Sequence, residues 1–513
     1  MCGILFCKNI DYSKKLNDSL NLMNHRGPDY AGSFEENNYF LGHNRLSILD
    51  LDKRSNQPFL ASDNQTYIIF NGEVYNHKEL KHQFGIKTKT TSDTEVLVEL
   101  YLKLGSKCLS YLNGMFSFVI FNKKTKKLFV ARDRLGIKPL YFYDKNEKLI
   151  FSSEISPILN LTEEYTIDSI AVRQYKKMRT FFRGHTIYKN IKMFPAGHFY
   201  ENGNICKYWD IEKSENTKLD KEELKHLIDS SIEYRKIADV EMGSYLSGGL
   251  DSSIIASVAK QEHSWTIGFE SCNEFEYARL VAQKHKLNHH EITIKEDEFL
   301  DIARFMINKR REPLSVPNEV LLYKMTKEAS KYNKAILSGE GADELMYGYD
   351  RIFRWANENE FNLEEFDNLY SYGSHKDDEI IDYILGPVSH IKSNILKIAT
   401  FFQLHHLHGL LRRLDSSTML CSVEARVPFV DHRLIEYMYR IDFNTKMKNG
   451  VVKTILKEIY KNILPIDVIE RKKVGFPVPL KNIFKNKENN MDFWLSFNIN
   501  NLPNFNKNYY NER

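Results

Sequence analysis

A cysteine stands second in this 513-residue chain, between Met1 and Gly3. Its small side chain permits removal of the initiator methionine, which would leave a thiol and a free α-amino group on one residue. An α-amine titrates at about 7.7–8.0, so part of it is neutral near pH 7 and can take the thiol proton. Cys2 could then be nucleophile and base together. Alone, it could also be a buried small apolar side chain opening a strand. Other stretches bear on the choice: "HRGPD" (25–29), "RLSILD" (45–50), "FNGEVYN" (70–76) and "TSDTE" (91–95). Such a set suits an α-amino acid. Arg45 could fork onto a carboxylate, and Glu73 or Asp93 could pair with an ammonium group. The Asn71 side chain and the Gly72 N–H could stabilise the oxyanion of an acyl carbon under attack. Taken singly, Arg45 reads as a surface ion pair and Asp93 as a helix cap.

A second constellation is "SYLSGGLDSSIIASVAK" (244–260), which reads as strand, glycine-bearing loop and helix. Gly248 and Gly249 let successive N–H groups curl toward one anion, at a helix start whose dipole favours negative charge. Ser247, Ser252 and Ser253 add hydroxyl donors, and Asp251 among phosphate ligands suits Mg2+. The loop is not the G-x-x-x-x-G-K-[ST] pattern, and a plain strand–helix connection is the other reading. "LSGEGADE" (337–344) follows another strand. It brings Glu340, Asp343 and Glu344 to the carboxyl edge of a sheet, where doubly wound folds bind ligands. Acidic groups facing a phosphate loop imply metal–triphosphate chemistry. The plainer reading of Asp343 and Glu344 is an acidic pair favoured by a helix dipole.

The elements that must position these groups fall into two styles. Up to about residue 155, short β-branched or aromatic runs ("YIIFNGEVYN", "FSFVIFN", "KLFVARD", "PLYFYD") alternate with turns. "NKKTKK" (122–127) is a hairpin turn. Helices are expected at "SKKLNDSLNLM" (13–23) and "TSDTEVLVELYLKLG", the second capped at its start and stopped by Gly105. This predicts antiparallel sheets covered by helices. Past about 215, helical patterns alternate with the strands "DVEMGSYLS", "SWTIGF", "HHEITI" and "KAILSG", which predicts a parallel sheet with crossover helices. From about 350 the pattern is mostly helical, with a loop-rich basic end. The polar stretch 210–223 reads as a linker. A net charge of +4, from 72 basic and 68 acidic residues, argues against nucleic-acid binding as the main task. No run approaches the roughly 18 apolar residues of a membrane helix. Six scattered cysteines without a C-x-x-C pair predict a reducing compartment and no structural zinc.

Residues 1 to about 200 resemble the class II glutamine amidotransferase domain of the N-terminal-nucleophile hydrolases, through "MCGI", "HRGPD", "RLSI", "NGEVYN", "SDTE" and "RDRLGIKPLY". The order "SGGLDSS", "SGEGADE", "VEARVPFVD" (423–431), "VVKTILK" (451–457) and "RKKVGFPVP" (471–479) is similar to that of glutamine-hydrolysing asparagine synthetases, over nearly the whole chain. The resemblance implies an αββα sandwich at 2–209, the linker at 210–223, and a synthetase domain at 224–513. The last would be a doubly wound parallel sheet of the adenine nucleotide α-hydrolase kind, an ATP pyrophosphatase, with extra helices. It implies that Cys2 forms a γ-glutamyl thioester. Arg45, Leu46, Ser47, Ile48, Leu49, Asn71, Gly72, Glu73 and Asp93 would hold glutamine, with Asn71 and Gly72 as the oxyanion hole. Ser247, Gly248, Gly249, Leu250, Asp251, Ser252 and Ser253 would bind the pyrophosphate end of ATP. Tyr245 or Leu246 and Ile267 would lie against the nucleoside, with Ser338 and Gly339 also touching ATP.

By the same resemblance Asp251 and Asp343 would hold Mg2+, Glu340 would contact the acyl-adenylate, and Lys453 would neutralise the departing pyrophosphate. Two departures from the family pattern are Tyr245, where an aliphatic residue is usual, and "LMYGYD" after the acidic loop. The implied reaction amidates aspartate with nitrogen from glutamine and energy from ATP, in the cytoplasm, without nucleic-acid or membrane partners. Whether the enzyme is a homodimer stays open. The acceptor could also be another carboxylate, such as a sugar uronic acid in surface polysaccharide synthesis, although "VEARVPF" favours aspartate. A non-catalytic scaffold and a simple glutaminase are further readings, which glutaminase and pyrophosphate-release assays would separate.

Overall fold

The computed structural model describes residues 2–10, 13–211, 217–448, 451–471, 477–485, 490–503 and 505. The apolar run at 115–121 shows how its first half is layered. It lies in the strand Gly114–Asn122. Phe116, Phe118 and Ile120 point into one apolar cluster, and Val119 and Phe121 into another. Both faces are buried, so the run is unbroken rather than alternating.

Two six-stranded sheets stack here. The first runs Lys192–Met193, Tyr141–Lys145, Lys148–Ser152, Gly3–Lys8, Tyr39–Arg45, Tyr30–Glu36 across its width, all antiparallel. The second runs Asn204–Lys207, His198–Glu201, Leu128–Arg132, Gly114–Asn122, Thr66–Val74, Phe59–Leu60, also antiparallel. Ile4, Phe6 and Leu41 of the first meet Ile69, Val119 and Val130 of the second. The helices Ser13–Asn21 and Ile155–Thr162 cover the outer face of the first sheet. His77–Gln83 and Asp93–Leu104 cover that of the second. The order of layers is therefore helix, sheet, sheet, helix. Ser92 caps the Asp93–Leu104 helix through a bond from the Thr94 N–H, and Gly105 ends it at φ 58°.

The second half holds a five-stranded parallel sheet in the order Asn288–Ile294, His263–Phe269, Met242–Tyr245, Ala335–Leu337, Glu424–Arg426. The chain winds outward from Met242–Tyr245 to one side, then returns to build the other side from Ala335–Leu337. These two adjacent strands lead off in opposite directions, so a crevice opens at their carboxyl ends.

The sequence reading needs several corrections. The helix Lys221–Tyr234, capped by Asp220, begins inside the expected linker, whose residues 212–216 lie outside the described residues. The strand Glu424–Arg426 was not anticipated, because three residues are too few to show alternation. The helix His77–Gln83 was missed as well. In "RKKVGFPVP", positions 472–476 are outside the described residues. Among the described residues, no helix is long and apolar enough to cross a membrane.

Candidate active sites

Cys2 precedes the central strand Gly3–Lys8 and is buried, 8% exposed. Its backbone nitrogen donates to Asn71 Oδ1 at 3.0 Å, and its carbonyl accepts from Arg26 Nε at 3.1 Å. With Oδ1 committed, the buried Asn71 Nδ2 has no acceptor among the described residues. A donor waiting beside a nucleophile is what an oxyanion hole requires. Gly72 follows at φ +154°, and a Cβ there would lie 2.1 Å from the Met115 carbonyl oxygen. The strand therefore admits only glycine at the cavity wall. Burial pushes the Cys2 thiol up, while a hydrogen bond to the Leu46 backbone and the Arg45 charge pull it down.

The cavity beside Cys2 has a volume of about 30 Å³ and is walled by Arg45, Leu46, Ile48, Leu49, Gly72, Glu73 and Asp93, with Gln57 and Thr94. Ser47 is not on the wall; its N–H donates to Asp29 Oδ2 at 2.7 Å. Arg45 is not the surface ion pair of the plainer reading. Its Nη1 donates to the Asp52 carbonyl at 2.9 Å and to Asn56 Oδ1 at 2.7 Å, and its Nη2 reaches the Leu49 and Asp50 carbonyls. The fork is turned onto the loop that walls the cavity, so a substrate carboxylate would compete for those donors. Asp93 Oδ2 accepts from the Val74 N–H at 2.8 Å, and burial raises its pKa. Glu73 is raised well above its ordinary value by burial and by Asp93, despite an ion pair with Arg426 Nη2 at 3.1 Å.

The second site lies in the crevice of the parallel sheet. Its cavity measures about 660 Å³. Ser247 Oγ and Ser252 Oγ bond at 3.0 Å across the glycine turn. The acidic loop abuts it, since a Cβ on Gly339 would lie 3.2 Å from the Ser252 N. Of the predicted nucleotide residues, Tyr245, Leu246, Ser247, Gly249, Leu250, Asp251, Ser252, Ile267, Ser338 and Gly339 line the cavity. Gly248 and Ser253 do not. Gly248, at φ +70°, turns its α-carbon toward Tyr277, and Ser253 is wholly buried in the helix Leu250–Ala259. The unusual Tyr245 directs its hydroxyl to Thr326 Oγ1 at 2.6 Å.

Lys453 Nζ lies 2.6 Å from Asp251 Oδ2 and also pairs with Asp343 Oδ1. Burial lowers this ammonium's pKa, but the two carboxylates outweigh burial and raise it. Two carboxylates converging beside a phosphate loop fit Mg2+, which takes one or two carboxylates plus substrate phosphates. Among the described residues no group of three or more His, Cys, Asp or Glu could hold a metal ion. Glu340 accepts from Arg413 Nη2 at 3.1 Å. Glu344, next to Asp343 in the chain, is raised to about 7 by burial and by Asp343.

Sequence reasoning missed several wall residues: Met178, Arg179 and Thr180 at the end of the helix Ser169–Met178, and Tyr349, Tyr370, Tyr372, His406 and Arg413. They come from segments far apart in the chain and carry no local motif. The two sites are joined through the helix Leu407–Met419. Arg26, which holds the Cys2 carbonyl, donates through Nη2 to Asp415 Oδ2 at 3.0 Å; Arg413 of the same helix reaches the large cavity.

Comparison with known proteins assigns both halves. Residues 1–209 match the family described as a glutamine amidotransferase domain, and residues 223–495 that described as asparagine synthase. The chain is 30% identical to asparagine synthetase [glutamine-hydrolyzing] 1 of Bacillus subtilis (strain 168), over 95% of this chain and 89% of that one. It is 28% identical to asparagine synthetase B [glutamine-hydrolyzing] of Escherichia coli (strain K12), over 91% and 79%. It is 36% identical to a putative asparagine synthetase [glutamine-hydrolyzing] 2 of Methanocaldococcus jannaschii, over 68% and 76%.

Proposed function

This chain belongs to the glutamine-hydrolysing asparagine synthetase family, and on that premise we propose that it converts aspartate, glutamine and ATP to asparagine, glutamate, AMP and pyrophosphate. The observation that carries the proposal is the setting of Cys2. The sulfur-bearing residue is buried, and Arg26 ties it to the helix that walls the large cavity. The reading divides the chain into an N-terminal-nucleophile hydrolase at 2–209 and a synthetase of the adenine nucleotide α-hydrolase kind at 224–513. The joining stretch 210–223 ends in the Lys221 helix.

In the first half, the α-amino nitrogen of processed Cys2 takes the thiol proton, and the thiolate attacks the glutamine carboxamide carbon. Asn71 Nδ2 and the Gly72 N–H hold the oxyanion. Ammonia leaves, and water hydrolyses the γ-glutamyl thioester to glutamate. In bulk water at pH 7 the ammonia would be almost wholly ammonium and not nucleophilic, so the buried interface keeps it reactive.

In the second half, hydroxide is too poor a leaving group for direct amidation of a carboxylate. The aspartate β-carboxylate therefore attacks the α-phosphorus of ATP, and pyrophosphate departs. The Ser247–Ser252 loop holds the phosphates, and Lys453 neutralises charge that grows on the leaving group. When bound, Mg2+ would be held by Asp251 and Asp343 and would neutralise phosphate charge. Ammonia then attacks the acyl carbon, AMP leaves, and Glu340 accepts a proton from the attacking nitrogen.

Two variants test the division of labour. Cys2→Ala should abolish glutamine-dependent synthesis and spare synthesis from added ammonia. Loss of both activities in a folded protein would sink the scheme. Asp251→Asn should stop pyrophosphate release with glutaminase activity intact; normal release would remove Asp251 from the metal site.

A further inference from the structure

Arg179 and Thr180 of the first half and Tyr370, Tyr372 and Arg413 of the second together wall one lobe of the large cavity. The Arg179 guanidinium lies over the Tyr372 ring, 3.3 Å from its centroid. Among the described residues no carboxylate pairs with it. Three other cavity or interface arginines are paired with carboxylates: Arg413 with Glu340 at 3.1 Å, Arg26 with Asp415 at 3.0 Å, and Arg412 with Glu312 at 3.5 Å. Burial lowers the Arg179 pKa and nearby Arg413 lowers it further, whereas at Arg413 the Glu340 charge outweighs burial. Glu344, the other carboxylate on this side, accepts from the Tyr349 hydroxyl at 2.6 Å. The lobe thus holds two adjacent guanidinium groups and one carboxylate, Glu340, which pairs with Arg413 alone. A partly desolvated cation without a counter-ion is costly, and an anion entering the lobe removes that cost.

We propose that Arg179 binds the acceptor carboxylate that is not activated, so that the amidotransferase half supplies part of the synthetase's acceptor pocket. The acceptor class is then a small dicarboxylic amino acid, with one carboxylate at the phosphate loop and the other at Arg179. This rests on the synthetase reading above. It also separates two acceptor chemistries, because a sugar uronic acid has a single carboxylate and leaves Arg179 without a partner.

The test is pyrophosphate release by the full chain with ATP, Mg2+ and ammonia, comparing wild type, Arg179→Met and Arg179→Lys. Removing a charge-assisted fork costs on the order of ten- to hundredfold in affinity. Arg179→Met should raise the aspartate KM by that factor, leaving the ATP KM and the glutaminase rate unchanged, and Arg179→Lys should restore part of the loss. β-Alanine is aspartate without its α-carboxylate, so its inhibition constant should be the same in wild type and Arg179→Met. An aspartate KM within twofold of wild type in Arg179→Met overturns the proposal. So does a parallel rise for ATP or for β-alanine. If the wild type is active on a uronic acid and inert on aspartate, the aspartate reading itself fails and this inference with it.

Discussion

Arg426 joins the two halves of the molecule, and replacing it with methionine should be among the costliest single changes. Its guanidinium is wholly buried. Nη2 lies 3.1 Å from Glu73 Oε1 across the interface, and Nε lies 2.6 Å from Glu424 Oε1. Nη1 donates to the carbonyls of Arg235 at 3.0 Å and Ile237 at 2.7 Å. Methionine fills much of the volume but leaves two buried carboxylates and two carbonyls without this partner. Breaking a buried pair from one side costs about 3–5 kcal/mol, and each orphaned carbonyl adds about 1 kcal/mol. The expected loss is about 5 kcal/mol, a large share of a net stability of about 5–15 kcal/mol. Urea unfolding at pH 7 measures it, with Arg426→Met/Glu73→Gln alongside, which should recover part of the loss.

The pH response supplies a second readout. In the wild type, burial pushes Glu424 up, but the charge of the chain's terminal amine, then those of Arg426 and Lys138, hold it at about 2. A depressed carboxylate contributes stability above its ordinary value near 4.5, which is lost as pH falls toward 2. Without Arg426 one of these charges is lost and the carboxylate pKa rises. The gap between variant and wild type should then narrow as pH falls from about 4.5 toward 2. A destabilisation below 1 kcal/mol at pH 7, or strict additivity with Glu73→Gln, would refute the reasoning.

Other changes separate the two chemistries. Asn71→Asp keeps the acceptor for the Cys2 nitrogen and removes the Nδ2 donor. Glutamine hydrolysis should fall about 100- to 1,000-fold with ammonia-dependent synthesis unchanged, as paired glutamate and pyrophosphate assays would reveal. Gly72→Ala drives a Cβ to 2.1 Å from the Met115 carbonyl and should cost about 3 kcal/mol, read as a lowered urea midpoint. Lys453→Met should cut pyrophosphate release at least about 100-fold and leave glutaminase activity in place. Glu154 and Asp168, each held at about 2 despite burial, the first by His25 and Arg26 and the second by His185 and Lys192, should give a melting temperature that falls steadily as pH drops from about 4.5 to 2.

Much of the molecule was legible in the chain because its chemistry is local. The proposed nucleophile is the second residue. The proposed phosphate loop is a strand, a glycine turn and a helix start within about ten residues, and side-chain periodicity exposed the strands on either side. Cys2, Gly72 and Asp251 could be singled out from type and neighbours alone, whereas Lys453 came only through the family resemblance. The tertiary structure decided what depends on distant segments. It turned the Arg45 fork onto its own loop, removed Gly248 and Ser253 from the cavity wall, and added Glu424–Arg426 as an edge strand. It also set Arg179 beside Arg413 in one lobe, although 234 positions (413 − 179) separate them in the chain. No pattern in a linear chain encodes such a meeting. Side-chain direction and long-range partners are fixed only when two separately folded layers bury their shared face.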